Sequence, residues 1–222
     1  MMNLKQKYGN TALIAGGSEG IGAAFAERLA AEGLDLILIA RRIQPVNELA
    51  SSLETRYKIR VRCISCDLSE ADAGKQVEEA VRGEEISLMV YNAAMSYIGP
   101  FINNSQEHHL QMARANMLTP MTMLHIFGEK MVARGKGAIV LMTSMAGLQG
   151  SGNLSVYAAT KAFARILGEG LWYEWKSRGV DVMSCCAGAT STPGYINSRP
   201  GKSGILAPRV LAPEEVADEC LS

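Results

Sequence analysis

The sequence predicts an α/β fold of three layers, with a doubly wound parallel sheet between two layers of helices. Three observations predict it. Six short apolar runs recur along the 222 residues, each followed by a longer segment of helical spacing. Several of these runs are apolar on consecutive positions, the pattern of strands buried on both faces. Regular strand–helix alternation then calls for helices on both faces and right-handed crossovers.

The elements follow in order. Ala12–Ala15 leads through Gly16-Gly17-Ser18-Glu19-Gly20-Ile21-Gly22 into Ile21–Leu29, where Ala24, Phe25, Arg28 and Leu29 have helical spacing. Asp35–Ala40 is the second strand, followed by the helical pattern Val46–Tyr57. Val61–Cys66 precedes Ser69–Val81. Ser87–Tyr91 precedes one long helical stretch, Gln106–Ala133. Ala138–Thr143 precedes Val156–Ser177, and Asp181–Cys186 is the sixth strand. No repeat, low-complexity tract or linker interrupts the array, so residues 1–222 read as a single domain. From Gly188 to Leu211 the pattern gives way to Gly, Pro, Ser, Thr and Asn, with Pro193, Pro200 and Pro208 excluding regular structure. A loop that long in a compact domain is usually functional, and 188–211 is the expected substrate loop. Ala212-Pro213-Glu214-Glu215 has the composition of a helix start. The chain then ends at Ser222, which reads as a domain cut short, with a final strand missing.

Composition excludes several function classes. Apolar residues make up 48% and charged residues 20%, too apolar for intrinsic disorder. Lys plus Arg and Asp plus Glu are 22 each, for a net charge of 0, so the broad positive field that nucleic acid requires is lacking. The longest apolar stretches, Leu36–Ala40 and Ala138–Met142, fall far short of the ~20 residues of a spanning helix. Met1 to Asn10 has no signal-peptide core. The expected location is cytoplasmic, and the five cysteines, Cys63/Cys66 and Cys185/Cys186 among them, are expected as reduced thiols on strands. His108, His109 and His125 have no acidic or Cys cluster beside them, so no metal site is expected.

The first chemical signal is the glycine loop. Glycines at 16, 20 and 22 allow a tight turn and close backbone approach to a pyrophosphate, and the following helix offers unpaired N–H groups to it. The spacing is G-x-x-x-G-x-G, and no Gly-Lys-Ser/Thr follows, so this is not a P-loop. At the end of the second strand stands Ala40, followed by Arg41 and Arg42. An acid there would hold ribose hydroxyls, whereas guanidinium groups accommodate a 2′-phosphate, so NADP(H) is expected over NAD(H). Glu19 is a dissenting charge that could face the same phosphate.

The second signal is Tyr157-Ala-Ala-Thr-Lys161, an i,i+4 pair on one helix face. Ser144 stands just past the fifth strand. Asn116 lies within the long helical stretch, an unfavourable position without a compensating role. A phenol near a lysine ammonium can be brought towards the working pH as an acid/base, with a serine hydroxyl orienting the substrate oxygen.

The glycine loop, Asn92-Ala93-Ala94 after the fourth strand, Asn116, Ser144 and the Tyr157/Lys161 pair together resemble the short-chain dehydrogenase/reductase family from about Thr11 to Thr192. The resemblance implies a Rossmann fold with strand order 3-2-1-4-5-6. It implies an NADP-dependent oxidoreductase that interconverts a carbonyl and a secondary alcohol by hydride transfer. Its catalytic tetrad would be Asn116, Ser144, Tyr157 and Lys161, with Tyr157 as acid/base, Lys161 also on the nicotinamide ribose, and Asn116 holding a relay water. Cofactor contacts would come from Gly16, Ser18, Gly20, Ile21, Gly22, Asp67, Asn92, Ala93, Gly188 and Thr192, besides Arg41, Arg42, Tyr157 and Lys161. The sequence departs from the family at Ala15 (usually Thr), which loses a hydroxyl tying the loop to Asn92. It also departs at Ala94 (usually Gly) and at Ala187 before Gly188 (usually Pro). The rival readings are a non-catalytic NADP-binding regulator of the same fold and an epimerase or dehydratase of sugar nucleotides. Met95, Met145 and Leu148 after strand ends favour an apolar substrate. Trp172 and Trp175 near Tyr173 are candidates to pack against a twin helix, and the resemblance implies a homodimer or higher homo-oligomer through the helices bearing Asn116 and Tyr157.

Overall fold

A computed structural model describes residues 3–197 and 209–222; Pro200, Pro208 and the middle of the 188–211 loop lie outside the described residues. Six strands, β1 (Thr11–Ala15), β2 (Asp35–Ala40), β3 (Val61–Ser65), β4 (Leu88–Tyr91), β5 (Gly137–Ser144) and β6 (Val180–Ala187), form one sheet in the order β3-β2-β1-β4-β5-β6. Every pairing is parallel. The order reverses between β1 and β4, so a crevice opens at the carboxyl ends of these two strands.

Burial on both faces explains the continuous apolar runs. Ile14, Leu36, Leu38, Val90 and Val140 pack on one face with Phe25 and Leu29 of α2 (Gly20–Ala31) and with Val46 and Leu53 of α3 (Ile43–Tyr57). Their strand neighbours Leu13, Ile37, Ile39, Met89 and Leu141 face the other way, onto Phe127 and Met131 of a helix spanning Thr119–Arg134. Each strand thus feeds two cores, as its period of two requires.

Several boundaries differ from expectation for local reasons. A short first helix, α1 (Leu4–Tyr8), was hidden in a polar stretch and is capped by the Asn3 side chain, which accepts from the Gln6 N–H at 3.2 Å. The stretch expected as helix from Ser69 begins only at α4 (Ala73–Ala80), because Asp67 Oδ1 accepts from the Ser69 N–H (3.0 Å) and hydroxyl (2.7 Å) and holds the chain in a turn. The long stretch Gln106–Ala133 is three pieces: α5 (Gln106–Ala113), a π turn (Arg114–Leu118) and α6 (Thr119–Arg134). Pro120 has no N–H to return to the Asn116 carbonyl four residues back, and Thr119 N–H reaches Arg114 O instead, a five-residue step.

The helix bearing Tyr157 is α7 (Ser155–Trp175). Pro193, expected to exclude regular structure, opens the five-residue α8 (Pro193–Asn197), where proline fits the first turn. The two ends of the 188–211 loop meet in a bridge between Thr190 and Leu211. The last helix, α9 (Pro213–Leu221), buries Val216, Ala217 and Cys220 in the core it shares with α2. Its first turn is closed by the Glu215 carboxylate, which accepts the Ala212 N–H at 2.7 Å.

Two expectations are corrected by packing. Cys185 is not a lone strand thiol but is bonded to Cys220 of α9, and Cys186 is exposed. Cys63 and Cys66 remain thiols, and burial pushes both upward from the ordinary thiol range. Trp175 turns inward and lies over Gly128 of α6, so it serves its own chain, while Trp172 and Tyr173 stay exposed. Among the described residues no helix is long and apolar enough to cross a membrane.

Phe25 is fully buried and anchors α2, the helix that follows the glycine loop. Phe25→Ala is expected to lower the unfolding free energy by about 3–5 kcal/mol in urea denaturation.

Candidate active site

The crevice at the switch point is a cleft of about 380 Å³ whose floor is backbone. The Gly16 N–H donates to Ile39 O (2.8 Å), and the Asn92 and Ala93 N–H groups both donate to Ala15 O (2.9 and 2.8 Å). Asn92 Nδ2 adds a bond to Gly16 O at 2.9 Å. These bonds tie the loop to Asn92 without the hydroxyl that Ala15 lacks. A Cβ on Gly22 would stand 1.9 Å from Gly16 O, and one on Gly16, whose φ is +81°, would stand 2.7 Å from Ala93 N. Only glycine fits either place. Gly20 approaches Thr192 just as closely, with 2.8 Å from a built Cβ to Thr192 Cγ2. The end of β6 and the start of α8 are thereby brought over the loop.

The structure brings Gly16, Ser18, Gly20, Ile21, Arg41, Arg42, Asp67, Asn92, Ala93 and Thr192 together around this cleft. Gly22 lies beneath the loop. Gly188 sits apart, against the Met145 sulfur, and does not line the cleft. Arg42 Nη2 pairs with Glu19 Oε2 at 3.0 Å, and Arg41 Nη1 lies 4.0 Å from Asp67 Oδ2. Burial pushes the Asp67 carboxyl upward, but the bonds from Ser69 and the Arg41 charge outweigh it and hold the carboxyl below its usual value. Met95, expected on the substrate side, also lines the cleft, and residues that sequence reasoning missed include Leu68, Ser69 and Gly194, which line it through position alone.

On the far side of the cleft, Asn116 is a clamp. It sits buried in the π turn, where Oδ1 accepts the Met95 N–H and Nδ2 donates to Met95 O, each at 2.8 Å. Nδ2 also reaches Thr160 Oγ1 at 3.0 Å, and the Thr160 hydroxyl donates to Tyr157 O at 2.8 Å. Thr160 is therefore a missed member of the site; its place directly before Lys161 was the available signal. The side chain of Asn116 is committed to these partners. Asn116, Pro120 and Lys161 share the lining of a small cavity of about 10 Å³. That is close to the size of one water.

Ser144 ends β5 and caps the turn that follows, its Oγ accepting the Ala146 N–H at 3.2 Å. Gly147 lets this turn rest on α7, with only 2.7 Å between a built Cβ and the Ala162 N. Tyr157 is thereby brought beside the Ser144 side chain. Burial raises the phenol above its ordinary range, and the Ser144 hydroxyl opposes this without overcoming it. The expected acidification by lysine is not what this geometry gives. Lys161 is buried, its Nζ lies 5.7 Å from the Tyr157 ring centroid, and it spends its bond on Met142 O at 2.7 Å. Desolvation lowers Lys161 itself to about 8.

The chain as a whole is matched by known proteins. The family model described as short chain dehydrogenase matches residues 10–203. The chain belongs to this family. A 7beta-hydroxysteroid dehydrogenase of Collinsella aerofaciens is 32% identical over 98% of this chain and 84% of its own length. A short-chain dehydrogenase of Sphingobium yanoikuyae, solved in complex with NADPH, superposes with TM-score 0.86 at 32% identity, over 96% of this chain and 83% of that one. The bulky-bulky ketone specific alcohol dehydrogenase of Comamonas testosteroni gives 0.85 at 30% identity, over 96% and 81%. The chain is thus an oxidoreductase of the class that interconverts CH–OH and carbonyl groups.

The buried ammonium has a measurable cost. The folded pKa of Lys161, about 8, lies below its ordinary value of 10.5, so the folded state is penalised in full below pH 8 and recovers as pH rises towards 10.5. Lys161→Met is therefore expected to gain about 1–3 kcal/mol of stability at pH 7, less the orphaned Met142 carbonyl. Thermal melts should show that gain shrinking between pH 8 and pH 10.5.

Proposed function

We propose that this enzyme is an NADP(H)-dependent reductase of bulky apolar ketones, with Tyr157 as the proton donor. The observation that carries the reading is the half-buried Tyr157 phenol beside Ser144, on the same helix as Lys161, whose Nζ lies 5.7 Å from the Tyr157 ring centroid. A phenol held protonated at neutral pH is the form that reduction requires.

The cleft fits a nicotinamide dinucleotide. Its glycines leave backbone where any Cβ would intrude, and α2 begins at the loop with its N–H groups facing outward. Gly16, Ser18, Gly20, Ile21 and Asn92 would hold the pyrophosphate side, and Asp67 the adenine side. Arg41 and Arg42, both exposed at the end of β2 with no acid at Ala40, would receive a 2′-phosphate. Relatives solved with NADPH support that choice. Once bound, the reduced nicotinamide supplies the hydride that the carbonyl carbon accepts. The remaining steps belong to the chain. The Ser144 hydroxyl donates to the substrate oxygen and turns it towards Tyr157. The Tyr157 O–H bond breaks as the oxygen becomes an alcohol, and the phenolate is reprotonated by Lys161. A relay water for that lysine would fit the small cavity lined by Lys161 and Asn116.

Exposed apolar side chains border the loops that carry Ser144 and Met95: Ile98, Phe101, Met145, Leu148 and Ile196. They suit a large apolar substrate, as do the names of the hydroxysteroid and bulky-ketone relatives. Exposed Ile166 and Tyr173 on α7, with Leu110, Leu118 and Met121 around the Asn116 segment, form an apolar surface suited to a homodimer through these helices.

Tyr157→Phe is expected to reduce turnover of a bulky ketone at least 10²-fold, followed by loss of NADPH absorbance, while NADPH binding stays within threefold. Retained turnover would remove the phenol from the mechanism. Ile166→Glu is expected to convert a dimer to a monomer in light scattering; a wild type that elutes as a monomer counts against the assembly.

A further inference from the structure

We infer that Glu19 is a specificity-determining residue that competes with the 2′-phosphate of NADP(H) for Arg42 and so shortens the cofactor's residence. This rests on the proposed use of the cleft. Glu19 occupies the N-cap position of α2, where a carboxylate usually accepts helix N–H groups, yet its side chain makes no capping bond. It turns instead to Arg42, with Oε2 3.0 Å from Nη2, and both side chains line the same cleft.

The other acid in the cleft behaves differently. Asp67 is engaged by the Ser69 N–H and hydroxyl and stands 4.0 Å from Arg41, so it is held by its own loop and leaves that guanidinium open. Glu19 has no such structural duty. It places a carboxylate in the same electrostatic position as an arriving phosphate: beside a guanidinium and at the positive end of a helix. The pair is exposed, at 62% for Arg42 and 47% for Glu19, so it exchanges readily. A phosphate dianion with a fork-shaped partner displaces it on arrival. Glu19 then faces that phosphate as a like charge and recaptures Arg42 when the dinucleotide leaves. Cofactor release limits turnover in many enzymes, and a built-in competitor accelerates it.

Glu19→Gln keeps the size of the side chain and one acceptor oxygen and removes the charge. NADPH binding followed by fluorescence should tighten 3–10-fold, with the change mainly in the dissociation rate, while NADH binding moves less than twofold. In an Arg42→Ala background the same substitution should change NADPH binding less than twofold, because the contested guanidinium is gone. Weaker NADPH binding in Glu19→Gln, equal tightening of both dinucleotides, or persistence of the effect without Arg42 each overturns the inference alone. A wild type that binds NADH at least as well as NADPH, and is unmoved by Arg42→Ala, overturns the cofactor reading together with it.

Discussion

Among the described glycines, Gly22 is the one with least room for a side chain, since a Cβ there would meet the Gly16 carbonyl oxygen. The first turn of α2 lies directly on the loop that precedes it. Asn92 crosses from the neighbouring strand to lock that loop by its Gly16 carbonyl. Everything on the crevice side takes its position from this knot: the start of α2, the height of the Ala93–Met95 segment, and, through Gly20, the return of Thr192 over the top. Backbone, not side chain, forms the floor, so a dinucleotide can come close to amide groups that have no strand partner.

A second fixed point joins the two halves of the site. The Asn116 amide makes two bonds to Met95 and one to Thr160, spanning the β4 loop, the π turn and α7. This is a neutral network in which each polar group has a partner, so it rigidifies without an ionic desolvation cost. Beside it the protein accepts the opposite arrangement. Lys161 is an ammonium with one carbonyl partner and no carboxylate, destabilising the fold at neutral pH beside the half-buried Tyr157 phenol. Rigid support around a strained charge is the expected economy of an active site.

How much of this was legible depended on the range of the interaction. The four inner strands were visible because burial on both faces leaves runs such as Leu36–Ala40 unbroken by polar residues. The glycine loop, Ser144 and the Tyr157/Lys161 pair were visible because their spacing is local. What escaped was fixed by contacts between distant segments. The split of the Asn116 helix depends on Pro120 and on bonds to Met95, and no helical periodicity reports those. The bond between Cys185 and Cys220 depends on where α9 docks, which spacing alone cannot give. The phenol's pKa was misjudged because proximity in sequence placed Lys161 beside Tyr157, whereas its ammonium points to Met142. Trp175 was expected to face outward and instead fills the space above Gly128, a partner 47 residues away in the chain.

The π turn carries one residue more per turn than the helices on either side of it. Each residue in a regular helix advances the side chains by about 100°, so the turn sets the phase with which α6 presents Phe127 and Met131 to the sheet. Chain length between Asn116 and Phe127 is consequently locked on both sides, by the amide clamp upstream and by core packing downstream. A one-residue deletion there would regularise the helix yet swing its apolar stripe towards solvent. This stretch should therefore tolerate exchange of residues far better than it tolerates gain or loss of one.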